Sequence, residues 1–331
     1  MSISSSRSTF SFRSSILTRR AFAAAALSLA VVVTAAPADA ADPEACKVVR
    51  FADVGWTDIT ATTALASTVL EGLGYEPKTT ILAVPVTYAS LKNKDIDVFL
   101  GNWMPTMEAD LKPYLEDKSV ETVGVNLEGA KYTLAVPAFT YDAGLKSFAD
   151  IAKFKDKLGG KIYGIEPGND GNRLILEMIS GGQFGLDGFQ VVESSEQGML
   201  AEVARATRRK EDIVFLGWEP HPMNANFEMK YLDGGDDVFG PNYGGATVHT
   251  NVRAGYLEEC PNVGALVKNL KFSLPMENEV MGKILNDGED PAKAAKDWLK
   301  ANPAALDGWL AGVTTFDGQP GLPAVKASLG L

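Results

Sequence analysis

Three tryptophans each follow closely on a glycine at the end of a short apolar run: Asp53-Val54-Gly55-Trp56, Val98-Phe99-Leu100-Gly101-Asn102-Trp103 and Val214-Phe215-Leu216-Gly217-Trp218. The runs read as buried strands. In open α/β sheets ligands sit outside the carboxyl ends of the strands, so a large ring placed there points into a site and away from the core. Three such rings describe an aromatic wall. Ring faces attract positive charge without needing hydrogen bonds, and the chemistry that fits is capture of a cation with no N–H to donate. Hydrophobic cover is the alternative for any one strand-end tryptophan; three in comparable places favour a site.

Other residues join this set. Asp58, two residues after Trp56, stands where a helix N-cap is expected, and it reads either as a simple cap or as a carboxylate facing the cleft beside the ring. Trp103 is followed by Met104-Pro105 and Trp218 by Glu219-Pro220, which ends each strand and keeps the rings out of mid-sheet positions. The segment Gly164-Ile165-Glu166-Pro167-Gly168-Asn169-Asp170-Gly171 follows a strand and precedes a helix, where free backbone N–H groups face a ligand. Asn169 and Asp170 therefore line the cleft from a second lobe, or else belong to a solvated turn. Tyr132, in Lys131-Tyr132-Thr133-Leu134-Ala135-Val136-Pro137, lies where the chain crosses between lobes; ordinary strand packing is its alternative. Trp298 and Trp309 fall on helical patterns and are expected in the core.

Enzyme chemistry finds little support. The chain has only His221 and His249 as histidines and no Gly-x-Ser-x-Gly, His-Glu-x-x-His or P-loop phrase, so the usual nucleophilic, zinc and phosphoryl-transfer constellations are missing. The glycines near Gly164 do not match a dinucleotide fingerprint. No catalytic residue, metal or cofactor is expected.

These residues require an α/β scaffold. Lys47 to Val54 reads as a strand, and Ile59, Thr62, Ala66, Val69, Leu70 and Leu73 form a helical stripe stopped by Gly74. A strand around Thr80 to Val84, a helix through Tyr88 to Lys92 and a strand Ile96 to Leu100 complete a βαβαβ unit with a largely parallel sheet. After the strand Lys131 to Val136 the alternation restarts: helix Ser147 to Lys157, strand Lys161 to Ile165, helix Gly171 to Ile179, strand Gln190 to Val192, helix Glu196 to Arg208, strand Asp212 to Leu216. A strand near Thr247 to Arg253 then returns to the first unit, and Asp290-Pro291 opens a helix through Trp298. The expected fold is two α/β lobes joined by two hinge crossovers with a ligand cleft between them, the type II architecture of periplasmic binding proteins. The first lobe comprises 41–131 and 234–331, the second 132–233.

Residues 1–40 read as a signal peptide: four arginines precede an apolar stretch from about Ala21 to Ala36, and Ala38-Asp39-Ala40 supplies a small-x-small cleavage signature. Thr18-Arg19-Arg20-Ala21-Phe22 resembles a twin-arginine signal, with an ordinary secretory signal the alternative. Without this segment 27 basic face 41 acidic residues, a net charge of about −14, which disfavours nucleic acid and anionic membrane as partners. The two cysteines, Cys46 and Cys260, read as one disulfide in an oxidising compartment, with two unpaired buried thiols the alternative.

The phrases Phe51-Ala52-Asp53-Val54-Gly55-Trp56-Thr57-Asp58, Gly101-Asn102-Trp103-Met104-Pro105, Lys131 to Pro137 and Leu216-Gly217-Trp218-Glu219-Pro220-His221 resemble the substrate-binding proteins of ABC importers for glycine betaine and choline, over essentially the whole mature chain. The resemblance implies that Trp56, Trp103, Tyr132 and Trp218 box a trimethylammonium group, with Asp58 beside the box and Asn169, next to Asp170, facing a hydroxyl. It also implies a Cys46–Cys260 disulfide, a periplasmic location and delivery to an ABC permease in the inner membrane. Choline is the expected ligand, with acetylcholine or betaines weaker. Asp58 would repel a betaine carboxylate and accept from a choline hydroxyl, and the site as read contains no obvious Arg or Lys to pair with a carboxylate. The protein is expected to act as a monomer and perform no chemistry. The alternatives are a betaine receptor, a receptor feeding a sensor protein, and a secreted carbohydrate-active protein that stacks sugars on its tryptophans.

Overall fold

The computed structural model describes residues 42–331 together with the isolated Thr9. The signal segment and its cleavage position lie outside the described residues. One mixed sheet runs through the molecule in the order β2-β1-β3-β9-β4-β7-β5-β6, with β8 paired to β4. The strands are β1 (Val48–Asp53), β2 (Glu76–Ile81), β3 (Val98–Met104), β4 (Val120–Pro137), β5 (Lys161–Tyr163), β6 (Gln190–Val192), β7 (Phe215–Glu219), β8 (Met229–Tyr231) and β9 (Gly245–Arg253). Around β1 and around β5 the neighbours are parallel, as βα alternation requires. The two halves meet where β4 and β9 run antiparallel across the middle.

β4 is much longer than the Lys131 to Val136 segment expected. It serves two partners in turn, pairing with β9 from Val120 to Lys131 and with β7 from Lys131 to Ala135. Three register shifts against β9 bend it on the way, as bulges do where a strand must change direction. Its N-terminal part intersperses Val120, Val123, Val125 and Leu127 with polar residues and glycine, so it carries no continuous apolar run. Other boundaries also moved. β2 stops at Ile81, and α2 (Val84–Lys92) begins with Pro85 in its first turn, a place where proline's fixed φ and missing N–H cost nothing. The strand expected at Asp212 to Leu216 is Phe215–Glu219, so Trp218 lies within it, and β3 likewise carries Trp103.

α1 (Thr57–Gly72) buries more than the predicted stripe: Ala61, Thr63 and Leu65 are covered as well. Helices Leu274–Leu285, Pro291–Ala301 and Gly321–Leu329 lie against it, so a helix that is apolar or small on most sides becomes an interior one. The close approach of α1 to β3 depends on Gly101, where an added Cβ would meet Ile59 side-chain carbons at 2.7 Å. Asp290 caps the Pro291–Ala301 helix through the Lys293 N–H. Trp309 is buried, but Trp298 is half-buried at the surface with its indole N–H on Glu279, 2.7 Å away. The core assignment for Trp298 is therefore corrected: its helix presents it to the groove beside Leu274–Leu285 rather than inward.

Cys46 and Cys260 form a disulfide with Cα atoms 5.6 Å apart. It joins the segment leading into β1 to the junction between the Tyr256–Glu259 and Pro261–Asn269 helices, and closing a loop of that length contributes up to roughly 5 kcal/mol in the chain-entropy description.

Candidate functional site

Trp56, Asp58, Trp103, Tyr132, Ile165 and Trp218 line one small cavity. All six are buried. Strand register explains two of the rings, because Tyr132 on β4 and Trp218 on β7 are directly opposed, and opposed side chains share one face of the sheet. Their centroids are 6.3 Å apart, nearly perpendicular, and Trp103 lies 6.0 Å from Tyr132 on the other side. Trp56 and Asp58 arrive from the loop and first turn where β1 passes into α1. Ile165, just past β5, supplies an aliphatic contact that no sequence phrase had singled out.

Three of the four rings have their polar atom in a hydrogen bond to a neighbouring side chain. The Trp103 indole N–H donates to Asp58 Oδ2 at 3.1 Å, and that of Trp56 to Glu166 Oε1 at 2.9 Å. The Tyr132 hydroxyl donates to Asn169 Oδ1 at 2.9 Å. Gly171 makes that last approach feasible, since a Cβ there would collide with the tyrosine hydroxyl. Trp56, Trp103 and Tyr132 are thus fixed at their polar edges, which leaves faces as the recognition surface.

Asn169 and Asp170 do not line the cavity. Asn169 is the buried N-cap of the Asp170–Ser180 helix: its Oδ1 accepts the Asn172 N–H, and its Nδ2 donates to Asp170 Oδ1 at 3.1 Å. The solvated-turn alternative is excluded by this burial, and both residues stand behind Tyr132. Asp170 Oδ2 is buried without a partner, and burial pushes its carboxyl up to about 6.

The electrostatics are one-sided. Asp58 is wholly enclosed, its Oδ1 has no hydrogen-bond partner, and burial followed by the negative charge of Glu196 pushes its carboxyl up to about 8. Glu277, buried on the Leu274–Leu285 helix, is pushed up well above the carboxylate range by burial and then by Asp58. Burial likewise raises Glu166 to about 7. Among the described residues no Lys or Arg lines the cavity. A buried carboxylate in this state is relieved by a proton or by a cation. Glu166, Glu196, His221 and Glu277 were not assigned roles by sequence reasoning; acids in first helical turns look like ordinary caps until the fold shows what they face.

A small cage of four ring faces closed by one carboxyl group suits a monovalent organic cation. Residues 47–301 match the family described as the substrate binding domain of the ABC-type glycine betaine transport system. The chain belongs to this family. It is a substrate-binding protein of an ABC transporter, and its protein partner is the transporter's membrane permease. Among solved structures, the chain is similar to an ABC-transporter choline binding protein in complex with choline. That match has 72% identity and a TM-score of 0.87, and covers 87% of this chain and 100% of that one. The same kind of protein in an unliganded semi-closed conformation, with the same identity and coverage, gives a TM-score of 0.81. The lactococcal OpuAC closed with glycine betaine matches at 27% identity, TM-score 0.72, over 79% of this chain and 98% of that one. The expected type II binding-protein fold is thereby established, in a conformation nearer the choline-bound relative than the semi-closed one. No described helix is long and apolar enough to cross a membrane.

Proposed function

We propose that this family member captures choline, enclosing the trimethylammonium group among Trp56, Trp103, Tyr132 and Trp218 and directing the hydroxyl toward Asp58. The observation that carries the reading is the unpartnered Oδ1 of buried Asp58 beside a ring cavity with no lysine or arginine in its lining. A quaternary ammonium cannot be held by hydrogen bonds, and each desolvated ring face contributes roughly 0.5 to 2 kcal/mol. The other end of the ligand decides the choice: a hydroxyl needs an acceptor, whereas a betaine carboxylate needs donors or a cation and would meet Asp58 instead. The 72%-identical relative holding choline supports the same choice. Asn169 and Asp170 act by holding Tyr132 and the wall behind it.

The lobes are residues 41–131 with 234–331, and 132–233; choline closes them, and the closed form delivers it to the permease without chemical change. Residues 1–40 direct export to the periplasm and are removed near Ala40. Calorimetric titration of the mature protein with choline, glycine betaine and a neutral sugar tests the reading. Tight choline, weaker betaine and no sugar binding are expected; betaine tighter than choline overturns it.

A further inference from the structure

Helix α1 begins between two residues of the cage, and neither side chain caps it. Trp56 occupies the N-cap position without a side-chain bond to the helix, although the first N–H groups of a buried helix must find acceptors. The acceptor comes from 139 residues away. Glu196, the first residue of the Glu196–Arg209 helix, receives the Thr57 backbone N–H on Oε2 at 2.8 Å and the Thr57 hydroxyl on Oε1 at 2.5 Å. The same Oε1 lies 3.2 Å from His221 Nε2. Because His221 Nδ1 accepts the Met223 N–H at 2.9 Å, the ring proton sits on Nε2 and is donated to Glu196. All three side chains are buried, and the His221 ring contacts that of Trp218 at 4.7 Å.

One carboxylate therefore ties the segment bearing Trp56 and Asp58 to the segment bearing Trp218. Thr57 follows β1 in one half of the sheet, whereas Glu196 follows β6 and His221 follows β7 in the other. A charged acceptor on backbone and hydroxyl donors makes strong, directional bonds, and the positive end of the α1 dipole favours an anion there. We propose that Glu196 is a positioning residue of the binding site: by capping α1 from across the cleft it holds Trp56 and Asp58 against the opposite wall of the cage. The bonds to Thr57 exist only when the halves are together, so Glu196 slows escape of the ligand rather than speeding its capture. The proposal rests on the reading of the cavity as a quaternary-ammonium site.

Stopped-flow tryptophan fluorescence and calorimetry with choline test it on the mature wild-type protein and on Glu196→Ala, Glu196→Gln, Thr57→Val and Thr57→Ser. Glu196→Ala is expected to raise the choline dissociation rate and Kd on the order of tenfold to a hundredfold with the association rate unchanged. Thr57→Val should move the same rate less, with Thr57→Ser restoring it. Glu196→Gln keeps a carbonyl acceptor for the Thr57 N–H and should fall between wild type and alanine. An equal drop in melting temperature with and without choline would make Glu196 a residue of the fold alone and overturn the proposal. So would Glu196→Gln as weak as alanine with Thr57→Val at wild-type affinity, since charge alone would then act. Tight wild-type binding with unaltered Glu196→Ala kinetics overturns this proposal and leaves the choline reading standing. Failure of the wild type to bind choline overturns both.

Discussion

Asp58 and Asp97 are both buried carboxylates on the β1–β3 half of the sheet, and the molecule treats them in opposite ways. Asp97 accepts from the Arg50 backbone N–H at 2.9 Å, from both Arg50 guanidinium arms at 2.9 and 2.7 Å, and from Arg253 Nε at 2.7 Å. Its charge is answered within the chain. Asp58 receives a single indole N–H at 3.1 Å, keeps one oxygen bare, and faces Glu196 and Glu277 with no cation in the cavity lining. A fully answered buried charge locks structure, while an unanswered one is a demand that a ligand can meet. The first belongs to the framework beside the Cys46–Cys260 bridge, the second to the cage.

The largest expected effect breaks the framework side of this contrast. Asp97→Ala takes the shared acceptor from Arg50 and from buried Arg253, leaving Arg253 with Glu259 as its remaining partner, and should lower unfolding free energy by about 3 kcal/mol. Urea denaturation measures that loss, while calorimetry on the folded protein should return wild-type choline affinity. A harmless Asp97→Ala would mean that the two carboxylates do not differ in kind. On the cage side, Trp103→Ala and Trp218→Ala should each weaken choline by on the order of 1 to 3 kcal/mol without unfolding the protein. Unfolding in place of lost affinity would transfer these rings to the framework.

Ligand choice sharpens the contrast further. Choline should bind at least about tenfold tighter than glycine betaine, a gap of about 1.4 kcal/mol. Asp58→Asn should narrow it by weakening choline more than betaine; an unchanged ratio in competition titrations would remove the charge argument. The smallest effect is a pH dependence. Since the Asp58 carboxyl is raised from 3.8 to about 8, the empty folded protein holds a proton there that the unfolded chain has given up. Its contribution to stability is present below about pH 4 and lost as pH rises toward 8. Thermal melts of the ligand-free protein should decline across that window, and Asp58→Asn should flatten the decline. Choline binds the ionised carboxylate, so its affinity should rise over the same range with proton release on binding, measurable in buffers of different ionisation enthalpy. Constant affinity from about pH 5 to pH 8 would mean that Asp58 is already ionised in the empty cage.

Much of this contrast was legible beforehand on one side only. Trp56, Asp58, Trp103, Tyr132 and Trp218 stand beside glycines and prolines in phrases short enough to read, because strand ends and turns are punctuated locally. The βαβ order followed from apolar runs and helical stripes for the same reason. The N-terminal part of β4 escaped because its valines and Leu127 are broken up by polar residues and glycine, and three register shifts interrupt the period of two that would mark a strand. Trp298 was misplaced because helical periodicity gives a face without saying what covers it. Asn169 was tied to the site by resemblance, yet its role as a buried cap behind Tyr132 depends on a helix start meeting a strand from another part of the chain.

The amino-acid sequence by itself determined the aromatic composition of the site, the α/β alternation and the acidic character that disfavours nucleic acid. These are properties of residue type and near-neighbour spacing. Only the tertiary structure decided that Tyr132 and Trp218 are cross-strand partners, that Glu196 caps a helix 139 residues away, and that Asp97 is answered while Asp58 is not. Those outcomes depend on strand register and helix placement, which bring distant segments to within a few ångströms and fix how much water each charge loses. Burial and partnership turn a carboxylate into a strut or a binding group, and both are set by the fold as a whole.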